Sequence, residues 1–266
     1  MREAIGTVAA LTVASGALVE ATGPADAAAH RPPWLVTIKA STTTLTLGQK
    51  VVLSGRVNKS AAGKLVVLQE RHKAGAKWKD QANALVHRDG HYQVSDRPSV
   101  NNRRSYRVVM PATKRHKKGV SESVFVDVYQ WTSLTTLPAV NRVLFDSEPS
   151  VSMNGETYPN SLEADVEHYL GAPTTESVEF NVNHRCTRFR GTFGLSDDSV
   201  DAGQATVTAI ADGTPWFSQT FGVGESTPDE ITFATAPLKL RFESSSVIAD
   251  SDGRGAVGTP EVYCEQ

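Results

Sequence analysis

Hydrophobic residues recur at every second position in short runs along most of the chain, and turn-forming residues separate the runs. In the first half the runs are Leu35-Val36-Thr37-Ile38, Thr44-Leu45-Thr46-Leu47, Val51 to Val57, Lys64 to Arg71, His91-Tyr92-Gln93-Val94, Ser105 to Val109 and Val124 to Tyr129. Gly48-Gln49, Gly63 and Asp89-Gly90 punctuate them, and Asp-Gly is a strong hairpin signal. Period-2 faces every 8–14 residues over 34–129 predict a β-sandwich, with no helix of useful length. The second half repeats the pattern with longer intervals. Val143-Leu144-Phe145, Val151-Ser152-Met153, Ser177 to Val182, Thr187 to Leu195, Ala205 to Ile210, Trp216 to Phe221, Ile231-Thr232-Phe233, Leu238 to Phe242 and Val262-Tyr263-Cys264 all read as strands. Asn154-Gly155 and Asp212-Gly213 mark hairpin turns. Many short strands with long loops predict a jelly roll over 150–266, and 130–149 is expected to be a connecting segment.

The N-terminus follows a different pattern. Residues 4–19 are small and apolar, Arg2 precedes them, and Ala25-Asp26-Ala27 supplies a small-x-small cleavage pattern. A signal peptide is expected at 1–27, with export of the product. No later stretch reaches the roughly 18–20 apolar residues of a membrane span.

Charge sharpens the division. The net charge of −2 hides a basic stretch, 30–129, with 19 Lys and Arg against 6 Asp and Glu, and an acidic stretch, 130–266, with 7 against 20. A switch of that size places a boundary near residue 130. Lys114-Arg115-His116-Lys117-Lys118 forms a basic run between two predicted strands, and Lys73, Lys77 and Lys79 flank Trp78. Such a surface attracts polyanions. Lys114, Arg115, Lys117 and Lys118 are therefore the candidate patch for an anionic polymer, against the plain alternative of a solvated face. Nucleic acid is not the expected partner, because the chain carries no nucleic-acid motif.

The two cysteines, Cys186 and Cys264, both lie in the acidic half, and with no Cys-x-x-Cys spacing they read as a disulfide in an oxidising compartment. The loop closed, of roughly 80 residues, corresponds to about 4–5 kcal/mol in the chain-entropy model. His87 and His91 straddle the Asp89-Gly90 turn with no third ligand and read as turn residues. Asp197, Asp198 and Asp201 offer hard oxygen ligands that suit a structural Ca²⁺, with a solvated acidic turn as the alternative. No other cofactor is expected. No Gly-x-Ser-x-Gly, His-Glu-x-x-His or phosphate-binding glycine loop occurs, and no enzyme is expected.

Two resemblances add to this reading. TLTLGQKVVLSGRV, GKLVVLQERHKAGAKWKD, RDGHYQV and RRSYRVVMPA resemble the bacterial Ig-like modules of secreted actinobacterial proteins, which implies an Ig-like sandwich over 34–129. NGETYPNSL, VEFNVNHRCTRFRGTFGLSDDS, ATVTAIADG and PLKLRFE resemble the NPCBM family of carbohydrate-binding modules, which implies a galactose-binding-like jelly roll over 150–266. That family's Asp-His-Ala-Asp-Trp stretch is absent here, and Asp250 to Gly255 and Gly258-Thr259-Pro260 stand in its place. The resemblance implies a glycan or cell-wall polysaccharide as ligand. An aromatic ring stacks on a sugar face while polar side chains bond its hydroxyls, so Tyr158 and Trp216 are the ring candidates and Asn183, His184 and Arg185 the rim candidates. For both rings a place in the core is the alternative. The expected function is a secreted, non-catalytic carbohydrate-associating protein with the basic module as spacer or polyanion anchor. The alternative is a structural or adhesion protein whose oppositely charged modules make protein contacts.

Overall fold

A computed structural model of the chain describes residues 31–165, 175–200, 203–247 and 253–266. The expected signal peptide lies outside the described residues, as do Asp201, Asp250 and Asp252. The architecture is all-β: nineteen strands and two single-turn 3-10 segments, Lys59–Ala61 and Leu134–Thr136, among the described residues.

The first nine strands are β1 (Lys39–Ala40), β2 (Thr44–Thr46), β3 (Val51–Arg56), β4 (Leu65–Arg71), β5 (Lys79–Leu85), β6 (His91–Asp96), β7 (Arg104–Met110), β8 (Gly119–Val120) and β9 (Val124–Ser133). One sheet runs β1-β3-β6; the other is built on β5-β4-β7-β9, with β2 joining β9 in parallel. Alternation sends Val51 and Leu53, Val66 and Leu68, Tyr92 and Val94, and Val126 and Val128 into one core with Trp34 and Tyr106. Two expectations shift. Leu35 to Ile38 makes only an isolated bridge, Val36 to Val57, and the strand begins at Lys39. The Asp89-Gly90 turn forms, with Gly90 at φ 85° and the His87 amide donating to the His91 carbonyl at 2.7 Å, but its flanking strands separate. β5 pairs with β4 and β6 with β3, so the turn carries the chain from one sheet to the other.

The remaining strands are β10 (Ala139–Val143), β11 (Phe145–Met153), β12 (Glu156–Ala164), β13 (Thr175–Asn181), β14 (Cys186–Leu195), β15 (Gln204–Ala211), β16 (Thr214–Gly222), β17 (Ser226–Thr232), β18 (Lys239–Ser246) and β19 (Gly255–Cys264). A five-stranded sheet, β10-β13-β18-β15-β16, faces a second built of β11, β12, β19, β14 and β17. Between them lies a separate core dominated by Phe145, Phe180, Phe189, Phe193, Phe221 and Phe242, all fully buried. The Asn154-Gly155 and Asp212-Gly213 turns form as expected, each with two successive positive φ angles that suit tight antiparallel hairpins. In both, a carboxylate fixes the backbone: Asp197 accepts from the Asn154 and Gly155 amides, and Asp212 from the Leu238 and Lys239 amides.

The segment 130–149, expected to be a connector, is folded. Residues 124–126 of β9 pair with β7 and residues 130–133 pair with β19, so one strand belongs to both halves. The 3-10 turn, β10 and the start of β11 follow directly. β19 is the central member of its sheet. Its first part lies between β12 and β14, its last part between β9 and β14. A rank of side chains seals this junction on its outer face: Tyr129 and Trp131 of β9 each pack against Tyr263 of β19 with ring centroids 5.1 Å apart. The Tyr263 hydroxyl also meets the Thr46 hydroxyl at 2.6 Å.

Candidate functional site

The outer face of β14, β17 and β19 holds an open groove of about 560 Å³, lined by Tyr158, Arg190, Thr192, Asp229, Glu230, Thr259 and Glu261 among others. Register explains the gathering. Phe189 and Phe193 point inward, so Arg188, Arg190 and Thr192 of the same strand point outward. Arg190 is the cross-strand partner of both Glu230 on β17 and Glu261 on β19. Its Nε and Nη2 donate to Glu261 Oε2 at 2.7 and 2.5 Å. Its guanidinium also lies 4.3 Å from the centre of the Trp131 ring. Glu230 is held by Arg188. Asp229 accepts the Trp216 indole N–H at 3.2 Å.

A bulge opens the groove. Arg190 opposes Glu261, yet Thr192 opposes Gly258, so β19 spends an extra residue over Thr259-Pro260. Thr259 adopts φ 45°, and its hydroxyl donates to the Pro159 carbonyl at 2.9 Å. A bulge is where a proline is tolerated in a central strand, because the ladder is already interrupted there. Beside it the Tyr158 ring lies directly on Gly258: a Cβ at that glycine would stand 2.5 Å from Tyr158 Cγ. The Tyr158 hydroxyl donates to Glu156 at 3.0 Å, and partial burial followed by that carboxylate pushes the phenol above its ordinary value. The result is a half-exposed ring seated on backbone, at the edge of a groove rich in hydrogen-bond acceptors with one guanidinium among them.

Of the candidates read from the sequence, Tyr158 is in this groove. Trp216 is behind it, packed against Phe189, Phe233 and Phe242, and its indole N–H bonds Asp229 of the groove's lining. Asn183, His184 and Arg185 form the tight turn after β13, with Asn183 and His184 at positive φ. The His184 ring bonds the Ala236 carbonyl at 2.7 Å, while Asn183 and Arg185 line a different cleft, of about 200 Å³, beside the Cys186–Cys264 disulfide. Asp197 is occupied as the anchor of the Asn154-Gly155 turn, and the Asp198 amide bonds Ser196. Among the described residues no three His, Cys, Asp or Glu side chains group as a metal site would require. Lys114 and Arg115 line a pocket of about 440 Å³ with Trp34, Ser60, Lys64, Thr113 and His116; Lys117 and Lys118 follow as exposed residues. Stacking of His116 on Trp34 at 3.8 Å fixes that loop.

Arg190, Asp229, Glu230, Thr259 and Glu261 were not anticipated. The outward phase of Arg188-x-Arg190 was the available signal. Their convergence depends on which strands neighbour β14, which no local pattern states.

No family model matches the chain, and no curated protein matches it. Solved structures resembling about half of it include a CBM51 from Clostridium perfringens in complex with methyl-galactose, at 11% identity over 50% of this chain and 99% of that one, with a TM-score of 0.35. A CBM61 in complex with beta-1,4-galactotriose matches at 9% over 52% and 88%, with a TM-score of 0.26. A CBM36 in complex with calcium and xylotriose matches at 13% over 50% and 98%, with a TM-score of 0.27.

Proposed function

We propose that the chain is a secreted, non-catalytic carbohydrate-binding protein whose sugar site is the Tyr158 groove, with the basic module as spacer or as anchor for anionic polymers. The supporting observation is the groove itself. A ring seated on Gly258 offers a face, and around it Arg190, Asp229, Glu230 and Glu261 are each held in place by another side chain. Sugar hydroxyls both donate and accept, so acceptor carboxylates beside one guanidinium donor suit them. Pre-positioning lowers the ordering cost on binding. Each carboxylate in the groove is committed to a positioning contact, and the groove is open to water along its length, which favours binding over hydrolysis.

The test is a panel of immobilised neutral and acidic glycans probed with the full-length chain, at low and high salt. Retention on a defined neutral glycan that persists at high salt is expected, since stacking and hydrogen bonds to an uncharged sugar are little screened. A blank panel from folded protein would overturn the reading.

A further inference from the structure

The β4–β5 hairpin carries an arrangement on the first module, well apart in sequence from the groove. Trp78, just ahead of β5, bears two guanidiniums: Arg107 with its Cζ 4.1 Å from the ring centre, and Arg71 at 4.6 Å. Arg71 and Gln69 share one face of β4, and Gln69 is the cross-strand partner of Arg107 on β7. The carboxylate linked to this pair reaches it only through an amide. Asp80 accepts from Gln69 Nε2 at 2.7 Å, and Gln69 Oε1 in turn accepts from Arg107 Nε at 2.9 Å. An amide thus stands between the carboxylate and the guanidinium. Glu70 projects to the other face, where it is buried with Arg104. Among the described residues no carboxylate pairs with Arg71 or Arg107, and Arg71 Nε is buried without a hydrogen-bond partner. Desolvation and then the neighbouring Arg71 charge both pull the Arg107 guanidinium below its ordinary value. Lys73, Lys77 and Lys79, close to Trp78 in sequence, are exposed.

Two like charges held against one indole, neither paired with a carboxylate, suit an oxyanion. Guanidinium forks match carboxylate and sulfate geometry in a way that flexible lysines do not. The indole is already engaged by both cations, so it is not free to stack on a nucleobase, which turns the choice of polyanion away from nucleic acid. We propose that Arg71 and Arg107, positioned by Trp78, form a binding site for the sulfate or carboxylate groups of an acidic polysaccharide. This rests on the reading of the basic module as a polyanion anchor and gives that anchor a specific address; it does not depend on the Tyr158 groove.

The experiment measures binding of the full chain to immobilised heparin and hyaluronan, with a duplex oligonucleotide of equal charge for comparison. Wild-type protein should bind a polysaccharide with affinity that falls as salt rises. Arg71→Gln and Arg107→Gln should each weaken binding about tenfold, the scale of a lost charge-assisted hydrogen bond. Arg71→Lys, which keeps charge without the fork, should fall between, and Lys73→Gln should change binding less than about threefold. Heparin without hyaluronan would assign sulfate; both would assign the shared oxyanion. Unchanged binding in the two arginine variants with loss in Lys114→Gln/Arg115→Gln would overturn this site while leaving the anchor reading standing. Absence of polysaccharide binding by wild type, or equal binding of the duplex, would overturn the proposal. A matching thermal melt for each variant excludes unfolding as the cause.

Discussion

Replacing both Cys186 and Cys264 with alanine should destabilise the sheets around the Phe-rich core by about 3–5 kcal/mol. The two residues are register partners on β14 and β19, 78 positions apart in sequence. In the chain-entropy model, cross-linking a loop of that length removes about 15 cal/mol/K from the unfolded ensemble, or roughly 4.5 kcal/mol at 25 °C. The lower bound allows for residual structure in the unfolded chain. The location adds weight. β19 is the strand that β12, β14 and β9 all pair with, and beyond Cys264 the chain end is held by the Glu265 amide donating to the Arg185 carbonyl and the Gln266 amide to the Asn101 carbonyl. The assay is urea unfolding followed by tryptophan fluorescence. With a slope of about 2 kcal/mol/M, the transition containing Trp216 should move down by roughly 2 M. A shift under about 0.5 M would refute the reasoning, because it would mean that β19 is held by its ladders alone.

Gly258→Ala forces a Cβ to 2.5 Å from Tyr158 Cγ and 2.7 Å from Met153 Cε, so the ring must leave its seat; a loss of ~1–3 kcal/mol in a thermal melt is expected. Glu70→Ala strands the Arg104 guanidinium, whose side chain is 3% exposed, and should cost about 3–5 kcal/mol by denaturant titration. Burial raises the phenols of Tyr92 and Tyr106 well above their ordinary value, and for Tyr106 the hydrogen bond to Asp96 adds to it. Because the folded values lie above the unfolded ones, this contribution to stability is complete below about pH 10 and is lost as pH rises beyond it. Alkaline titration should therefore show the phenolate absorbance of these two residues emerging together with unfolding, whereas gradual ionisation of a folded chain would contradict it.

Local pattern carried the fold a long way. Period-2 runs located the strands, and Asn154-Gly155 and Asp212-Gly213 located two hairpins, because their chemistry is confined to a few neighbouring residues. What failed was non-local. Asp89-Gly90 has the chemistry of a hairpin turn, but β5 finds β4 and β6 finds β3, a choice made by burial of Ala84 and Val94 in a shared core. Gly258-Thr259-Pro260 reads as a loop, yet forms a bulge in a central strand, because Ser161, Pro159 and Tyr158 supply the contacts that the ladder loses there. Of the residues that line the groove, Tyr158 is the one the sequence singles out, from its turn. Trp216 sits in an alternating apolar run, and the core took it. The paired charges of the groove come from β14, β17 and β19, which are far apart in sequence, so only sheet order brings them together.

The claim that the Tyr158 groove is the sugar site is tested most directly by calorimetric titration of the neutral glycan selected on the panel into wild-type protein and into Tyr158→Ala, at high salt. The account predicts measurable binding by wild type and a loss of roughly tenfold or more in the variant, from the missing stacking face and its buried area. Equal binding by both proteins would contradict it and move the sugar away from this groove.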